Sequence, residues 1–445
     1  MTTLFGHSIR SELLLLYLAE TLACFVVLYL LLSWGITQGA PADSSDVTAL
    51  AACLALCAGA ISGASGLYQP EAWSRTSQLL LGTAIASLLL TLLAWPAVTL
   101  LHPAPAEEAG SRLAELLLAF TVIVGSTRLG FIAAARHGLL RRRLAVVCGP
   151  GHAPLGEEAA GEARRAAFEV ALTLREGEAI APERLRAQRI WAVLVADAAR
   201  LPAATRRRCE AAGLRVFSQA EFRERQLSRV DLASLSEDWL ASARSLRERP
   251  FEAAIRRAFD IAVSLALLLL TLPLLLLTAL AIKLDSRGPV FYRQERVGLG
   301  GRVFTLFKFR SMVVDAEAGG TPQWASRQDP RVTRVGRFIR LTRIDEIPQV
   351  LNVLRGDMAV VGPRPERPAF VAQLSRLIPH YGDRACVKPG ITGWAQVNYP
   401  YGASVEDARM KLAYDLYYVR RRSLFLDLLI LIATVRVVLF QEGAR

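Results

Sequence analysis

RRAFDIAVSLALLLLTLPLLLLTALAIKLDSRG, residues 256–288, decides what kind of protein this is. Its apolar part, 261–282, matches the roughly 20 residues a helix needs to cross a hydrocarbon core. Two features argue against a simple crossing. Pro273 lies near the middle, where proline removes a backbone hydrogen bond and clashes with the preceding turn. Cations flank both ends, Arg256 and Arg257 before, Lys283, Arg287 and Arg293 after, and such charge marks the cytoplasmic side. A helix broken at Pro273 that dips into the bilayer and returns satisfies both features. The Thr271 hydroxyl is then available to a carbonyl freed by the break. A fifth transmembrane helix, kinked at Pro273, is the other reading.

Four more apolar runs precede it, at 12–34, 47–68, 77–101 and 113–135, each long enough to span. The loops 35–46 and 102–111 carry no Lys or Arg, whereas Arg136 and Arg141 to Arg143 follow the fourth run. The positive-inside rule therefore places the N-terminus, the second loop and everything after 136 in the cytoplasm. The first run lacks a small-residue cleavage site and reads as an anchor. Apolar residues make up 53 % of the 445 and the formal charge is +13, with mean hydropathy +0.31. Beside such runs, a basic excess fits anionic membranes and phosphorylated substrates, not nucleic acid. The six cysteines show no metal-ligand spacing, which argues against zinc.

Between 143 and 228, RLAVVC, VALTL, IWAVLVAD and LRVFS read as short buried strands separated by polar helical segments, the pattern of a small parallel α/β domain. Its first turn, CGPGHAPLG, has Gly149, Gly151 and Gly156. This is a degraded dinucleotide fingerprint and reads as a Rossmann-like domain without a nucleotide. The expected architecture is a membrane protein. A four-helix transmembrane bundle covers 1–140, the Rossmann-like α/β domain 141–235 and a linker 236–252. A further α/β domain with the re-entrant helix covers 253–445. The apolar stretch from 424, a little short for a span and carrying Asp427 and Arg436, reads as an interfacial helix.

The chemistry points to RLTRIDEIPQVLNVLRGD, 340–357. Pro348 suits only the first turn of a helix, and Gly356 ends it. Asp345 and Glu346 thus sit at a helix start, where unpaired N–H groups favour negative charge. Arg340 and Arg343 add to that, and the combination should keep Asp345 ionised and hold a phosphate beside it. A carboxylate can serve as nucleophile once phosphate charge is neutralised, and its neighbour can hold Mg²⁺ with substrate phosphates. Lys308 and Arg310 alternate with Phe307 and Phe309 on one strand face. Arg364, between Pro363 and Pro365, is a rigid phosphate fork. Gln396 and Asn398, beside Trp394, offer amides and a stacking face. Without this company, the acidic pair would read as an ordinary N-cap.

RRAFD (256–260), FKFRSM (307–312), RIDEIPQVLNVLRGDM (343–358), VGPRP (361–365) and KPGITGWAQVN (388–398) resemble the bacterial sugar transferase family, the monotopic phosphoglycosyl transferases. The resemblance covers about 250–445, and the whole layout looks like the large subclass that initiates exopolysaccharide or O-antigen assembly. RVDLASLSEDWL (229–240) looks, more weakly, like members of exosortase-linked loci. The resemblance implies an enzyme of the bacterial cytoplasmic membrane that moves a sugar-1-phosphate from a UDP-sugar to a polyprenyl phosphate such as undecaprenyl phosphate. It implies that Asp345 forms a phosphosugar intermediate with release of UMP and that Glu346 binds Mg²⁺. Functional cations fall on Lys308, Arg340 and Arg364, and a further acidic position on Asp357. The break at Pro273 then holds the site at the cytoplasmic face among membrane lipids. The large subclass also suggests a homodimer. The chain departs from the family in opening the helix with Arg256-Arg257 where Lys-Arg is usual, and in having Leu272 where some members carry serine before the proline. Two other functions fit the residues less well: a catalytically dead, membrane-anchored nucleotide sensor, and a glycosyltransferase that releases UDP.

Overall fold

The computed structural model describes residues 2–4, 7–9, 11–37, 44–68, 76–101, 106–136, 141–148, 168–175, 178, 180–195, 201–232, 235, 250–314, 316, 329–399, 402 and 404–439. The chain forms two compact units, Met1–Leu227 and Ser228–Arg445.

The first unit begins with a hairpin of β1 (Thr2–Leu4) and β2 (His7–Ile9). The apolar runs then fold as α1 (Ser11–Thr37), α2 (Ser44–Ala64), α3 (Thr76–Leu101) and α4 (Ala106–Arg136). Each contains a stretch long and apolar enough to cross a membrane. They share one core that includes Leu28, Val47, Leu90 and Phe120. Leu15, Leu22, Leu80, Leu118 and Leu129 stay more than half exposed, a surface suited to lipid and not to water. Within the helices lies a polar cluster that pattern reading passed over. Glu20 and Arg128 are both fully buried and form an ion pair. Glu20 also accepts hydrogen bonds from the hydroxyls of Ser62 and, at 2.9 Å, of Tyr68. The Arg128 guanidinium lies 4.3 Å from the Tyr68 ring centroid.

The expected parallel sheet is present, in the order β4-β3-β5-β6. Its strands are β3 (Arg142–Cys148), β4 (Phe168–Arg175), β5 (Ile190–Val195) and β6 (Arg215–Ser218), all paired in parallel. Leu144 and Val146 pack on one face and Ala145 on the other, which is why the strand reads as an unbroken apolar run. The helices are α5 (Pro182–Ala187), α6 (Ala203–Ala211) and α7 (Gln219–Gln226). The glycine turn at 149–156 and the linker 236–249 lie outside the described residues.

The second unit starts at Ser228, earlier than the boundary at 235 that composition suggested. The reason is packing. Val230 is 6 % exposed and donates its N–H to Ala413 at 3.1 Å, while the Trp394 indole donates to the Ser228 carbonyl at 2.8 Å. Next comes α8 (Pro250–Asp285), a single helix with Pro273 inside it. The helical backbone continues through Pro273, so a turn back at that residue takes the form of a bend within one helix. Thr271 behaves differently from expectation. Its hydroxyl bonds the Leu267 carbonyl at 2.7 Å, whereas the carbonyl whose partner proline removes is that of Leu269, four residues before Pro273.

Both shoulders of α8 are held by the same unit. At one end, Arg256 pairs with Asp427 and Arg257 donates to the carbonyls of Val353 and Leu354, each at 2.6 Å. Asp260 accepts the Val360 N–H at 2.9 Å. At the other end, Asp285 accepts the Val335 N–H at 3.1 Å, and Ile282 is buried with Phe309, Ile339 and Ile344. Between them, Leu269, Leu270, Leu276 and Leu277 are 64–82 % exposed.

A β-ribbon follows, β7 (Phe291–Val297) against β8 (Val303–Phe309). After it come α9 (Arg334–Leu341), a 3₁₀ turn (Ile344–Gln349), α10 (Val350–Arg355), β9 (Ala359–Val361) and α11 (Pro368–Leu377). A 3₁₀ turn over Tyr381–Cys386 leads to β10 (Gly390–Thr392), α12 (Trp394–Asn398), α13 (Val405–Arg421) and α14 (Leu424–Leu439). In α14 the charges point inward: Asp427 and Arg436 are buried, while Leu428, Val435 and Val438 are exposed.

Candidate active site

The acidic pair is positioned by a sharp reversal. After α9, Arg343 adopts a left-handed conformation, φ 59°, uncommon for a residue with a side chain. Asp345 and Glu346 follow in the 3₁₀ turn, with Pro348 in the same turn, and Gly356 at φ 94° caps α10 as its sequence position implied. The pair thus opens a short 3₁₀ turn and not an α-helix, so little of its electrostatics comes from a helix dipole. Lys308 arrives from β8. Asn352, fully buried, stitches that strand to α10, accepting the Phe307 N–H at 3.0 Å and donating to the Thr305 carbonyl at 2.7 Å.

Arg364 arrives on a second construction. VGPRP and KPGITG form one object, the parallel pair β9–β10. Gly362 donates to the Thr392 carbonyl at 2.8 Å, and Gly390 donates to the Pro363 carbonyl at 3.0 Å. A Cβ on Gly390 would strike the Gly362 nitrogen, and one on Gly393 the Gly362 carbonyl oxygen. The motif glycines exist so that these two backbones can touch.

The result is a cavity of about 570 Å³ whose lining includes Lys308, Arg340, Arg343, Asp345, Glu346 and Arg364. The two carboxylates play different parts. Glu346 is gripped. Lys308 Nζ donates to its Oε1 at 3.0 Å, Arg364 reaches both of its oxygens, with Nη1 to Oε2 at 3.0 Å, and Arg343 stands 4.0 Å away. Burial works against the charge of Glu346, but Arg364, Lys308 and Arg343 outweigh it and hold the carboxyl well below its usual range. Asp345 is 7 % exposed and no side chain among the described residues hydrogen-bonds its carboxylate. Burial and the Glu346 charge push it up to about 6, against the pull of Lys308, Arg340 and Arg364. Burial lowers the Lys308 ammonium, against the pull of Glu346.

Of the other expected site residues, Arg310 and Gln396 line the cavity, and Asn398 and Asp357 do not. Arg310 follows the end of β8 and lines the same cavity as Lys308. Its guanidinium closes the end of α8, donating to the carbonyls of Arg287 and, at 2.9 Å, of Ser286. Gln396 lines the cavity and its Nε2 donates to the Ile391 carbonyl at 3.2 Å. Asn398 is exposed, bonds the Trp394 carbonyl at 2.9 Å and is not among the cavity residues. Trp394 is stacked on Tyr417, so its ring is used inside the fold. Asp357 also lies outside the cavity, 3.5 Å from the Asn352 amide. Four cavity arginines, Arg296, Arg331, Arg367 and Arg384, escaped sequence reading, since none has a motif of its own.

Comparison with known proteins agrees with this geometry. A family model described as bacterial sugar transferase matches residues 251–441. A Caulobacter vibrioides protein, UDP-glucose:undecaprenyl-phosphate glucose-1-phosphate transferase, is 46 % identical over 191 residues, 42 % of this chain and 71 % of that protein. The chain belongs to the bacterial sugar transferase family. Two longer members of the family are also similar. The UDP-N-acetylgalactosamine-undecaprenyl-phosphate N-acetylgalactosaminephosphotransferase of Aeromonas hydrophila is 46 % identical over 238 residues, 54 % of this chain. The undecaprenyl-phosphate glucose phosphotransferase of Komagataeibacter xylinus is 48 % identical over 194 residues, 42 % of this chain. The chain spans 55 % of the former's length and 36 % of the latter's. The sugar-transferase match covers the second unit from α8 to α14, so it contains the whole cavity wall described above.

Proposed function

We propose that the protein transfers a sugar-1-phosphate from a UDP-sugar to a polyprenyl phosphate by way of an Asp345 adduct. One observation carries the reading: of two adjacent buried carboxylates, Glu346 is locked among cations and Asp345 faces the same cations without a hydrogen-bonding side chain. An Asp345 oxygen attacks the sugar-bearing phosphorus of the UDP-sugar. A P–O bond to the aspartate forms, the bond to the UMP oxygen breaks, and UMP leaves with that electron pair. An oxygen of the lipid phosphate then attacks the same phosphorus, and Asp345 departs as a carboxylate. Lys308, Arg340 and Arg364 neutralise the phosphate charge in both steps. No acidic proton is required from the protein, since both leaving groups are stable anions.

Glu346 fits Mg²⁺ in donor chemistry. Its Oε2 takes one hydrogen bond, from Arg364, which leaves a lone pair. Among the described residues no cluster of three acidic, His or Cys side chains exists, and Mg²⁺ commonly makes do with one or two carboxylates plus substrate phosphates and water. Bound there, the ion supplies charge neutralisation at the pyrophosphate.

We place the unit at the cytoplasmic face, with α8 re-entrant and α1–α4 as a transmembrane bundle. The support is that both shoulders of α8 bond the same unit while Leu269, Leu270, Leu276 and Leu277 between them are exposed. A membrane preparation given UDP-sugars and polyprenyl phosphate should release UMP. UDP as the product, or UMP release undiminished by Asp345→Asn, would refute the proposal. Tags at 249 and 288 should report from one side of the membrane.

A further inference from the structure

We propose that Arg384 is a positioning residue, which sets the place of Arg364 by holding its main chain. The inference rests on the reading of the cavity as a phosphosugar-transfer site, and adds to it a residue that no motif marks.

Arg384 lies in the 3₁₀ turn Tyr381–Cys386, 20 residues beyond Arg364. Its side chain is 12 % exposed, and that of its partner Asp415, on α13, is 2 % exposed. Its guanidinium is divided among three acceptors. Nη2 donates to the Arg364 carbonyl at 2.9 Å and to Asp415 Oδ2 at 2.7 Å, and Nη1 donates to the Tyr381 hydroxyl at 2.8 Å. A flat fork can serve three acceptors at fixed angles; an ammonium on a flexible stem cannot hold the same plane. Burial pushes the Asp415 carboxyl up, against the pull of Arg384. Glu366 and Lys411 are the other charges that bear on it.

The carbonyl that Arg384 holds belongs to the residue whose side chain grips Glu346. Arg364 sits between two prolines, whose fixed φ leaves its loop few ways to bend. The loop therefore moves as a block or not at all. The far side of the block is held as well. Arg296 Nη1 donates to the Pro365 carbonyl at 3.0 Å, and Val297 donates its N–H to the Glu366 carbonyl at 2.9 Å. Arg296 is tied to β7, next to the ribbon strand that bears Lys308. Arg384 and Arg296 thus clamp the phosphate fork from the α13 side and from the ribbon side.

The test is a cycle on the full chain in membranes, with UMP release from the UDP-sugar as readout and kcat/KM for that substrate as the quantity compared. Arg384→Lys is made in the wild-type chain and in an Arg364→Ala chain. If Arg384 acts through Arg364, the substitution lowers kcat/KM by about tenfold or more in the first and by less than about threefold in the second. Equal factors in both backgrounds, or no loss in the first, would overturn the inference, because a residue that only supports the fold loses the same factor in each. If Arg384→Lys fails to accumulate, Tyr381→Phe removes one of the three contacts, keeps the ring in the core and goes through the same cycle with the same two outcomes. Wild-type release of UDP would sink the transfer reading and this inference with it. Wild-type release of UMP with equal factors would sink the positioning role alone.

Discussion

Replacing one partner of the Glu20–Arg128 pair should destabilise the first unit, and replacing both should restore most of the loss. The magnitudes follow from what each change strands. Removing one member of a buried ion pair generally costs about 3–5 kcal/mol. Glu20→Leu leaves a fully buried guanidinium facing the Tyr68 ring, 4.3 Å away, and belongs at about 5 kcal/mol. Arg128→Leu leaves a carboxylate that still accepts from Ser62 and Tyr68, and belongs at about 3 kcal/mol. The double variant leaves no charge, only two hydroxyls without their acceptor, about 1–2 kcal/mol. The expected order of stability is wild type, double variant, Arg128→Leu, Glu20→Leu. Reversible unfolding in mixed micelles with rising SDS measures it. A double variant no better than the worse single, or singles within about 0.5 kcal/mol of wild type, would show that the pair does not hold these helices together.

Further outcomes concern the cavity and its supports. Asp345 titrates near pH 6, raised by burial and the charge of Glu346. UMP release should therefore be near its plateau at pH 7.5, halve near pH 6 and fall about tenfold for each unit below that; a flat profile between pH 8 and 5 would contradict the assigned nucleophile. Gly390→Ala forces Cβ into the Gly362 backbone and should abolish activity or folding, measured by UMP release and by yield of folded protein. Gly356→Ala keeps open space around Cβ, with nothing nearer than 3.9 Å; it should cost about 1 kcal/mol from backbone strain alone, read by chemical denaturation. Asn398→Ala should leave kcat/KM within about twofold of wild type, whereas Arg364→Ala should lose tenfold or more, as for a charge that meets phosphate.

Much of the fold was legible because it is written in local patterns. Apolar runs of membrane-spanning length gave α1 to α4, and four short aliphatic runs gave the strands of the parallel sheet. Gly356 stopped α10 as a left-handed cap should. The candidate site was legible where a local pattern marks its residues, as the acidic pair does Asp345 and Glu346 and the flanking prolines do Arg364. It was illegible where action is at a distance. Arg384 meets Arg364 across 20 residues of sequence and Asp415 across 31, and no spacing reports that. Asn398 was misplaced because the short α12 turns it outward while Gln396 faces the cavity. Glu20 and Arg128 went unread because window averages dilute one charge among some twenty apolar neighbours, although each partner neutralises the other in the fold.

The glycine contact between β9 and β10 also limits how this enzyme family can be recombined. A graft that imports VGPRP from one relative and retains KPGITG from another must reproduce an interlock in which main chain meets main chain with no side chain to adjust the fit. Chimeras meant to exchange sugar preference should therefore be cut outside residues 359–393, so that both segments come from one parent and the arginine they carry keeps its seat.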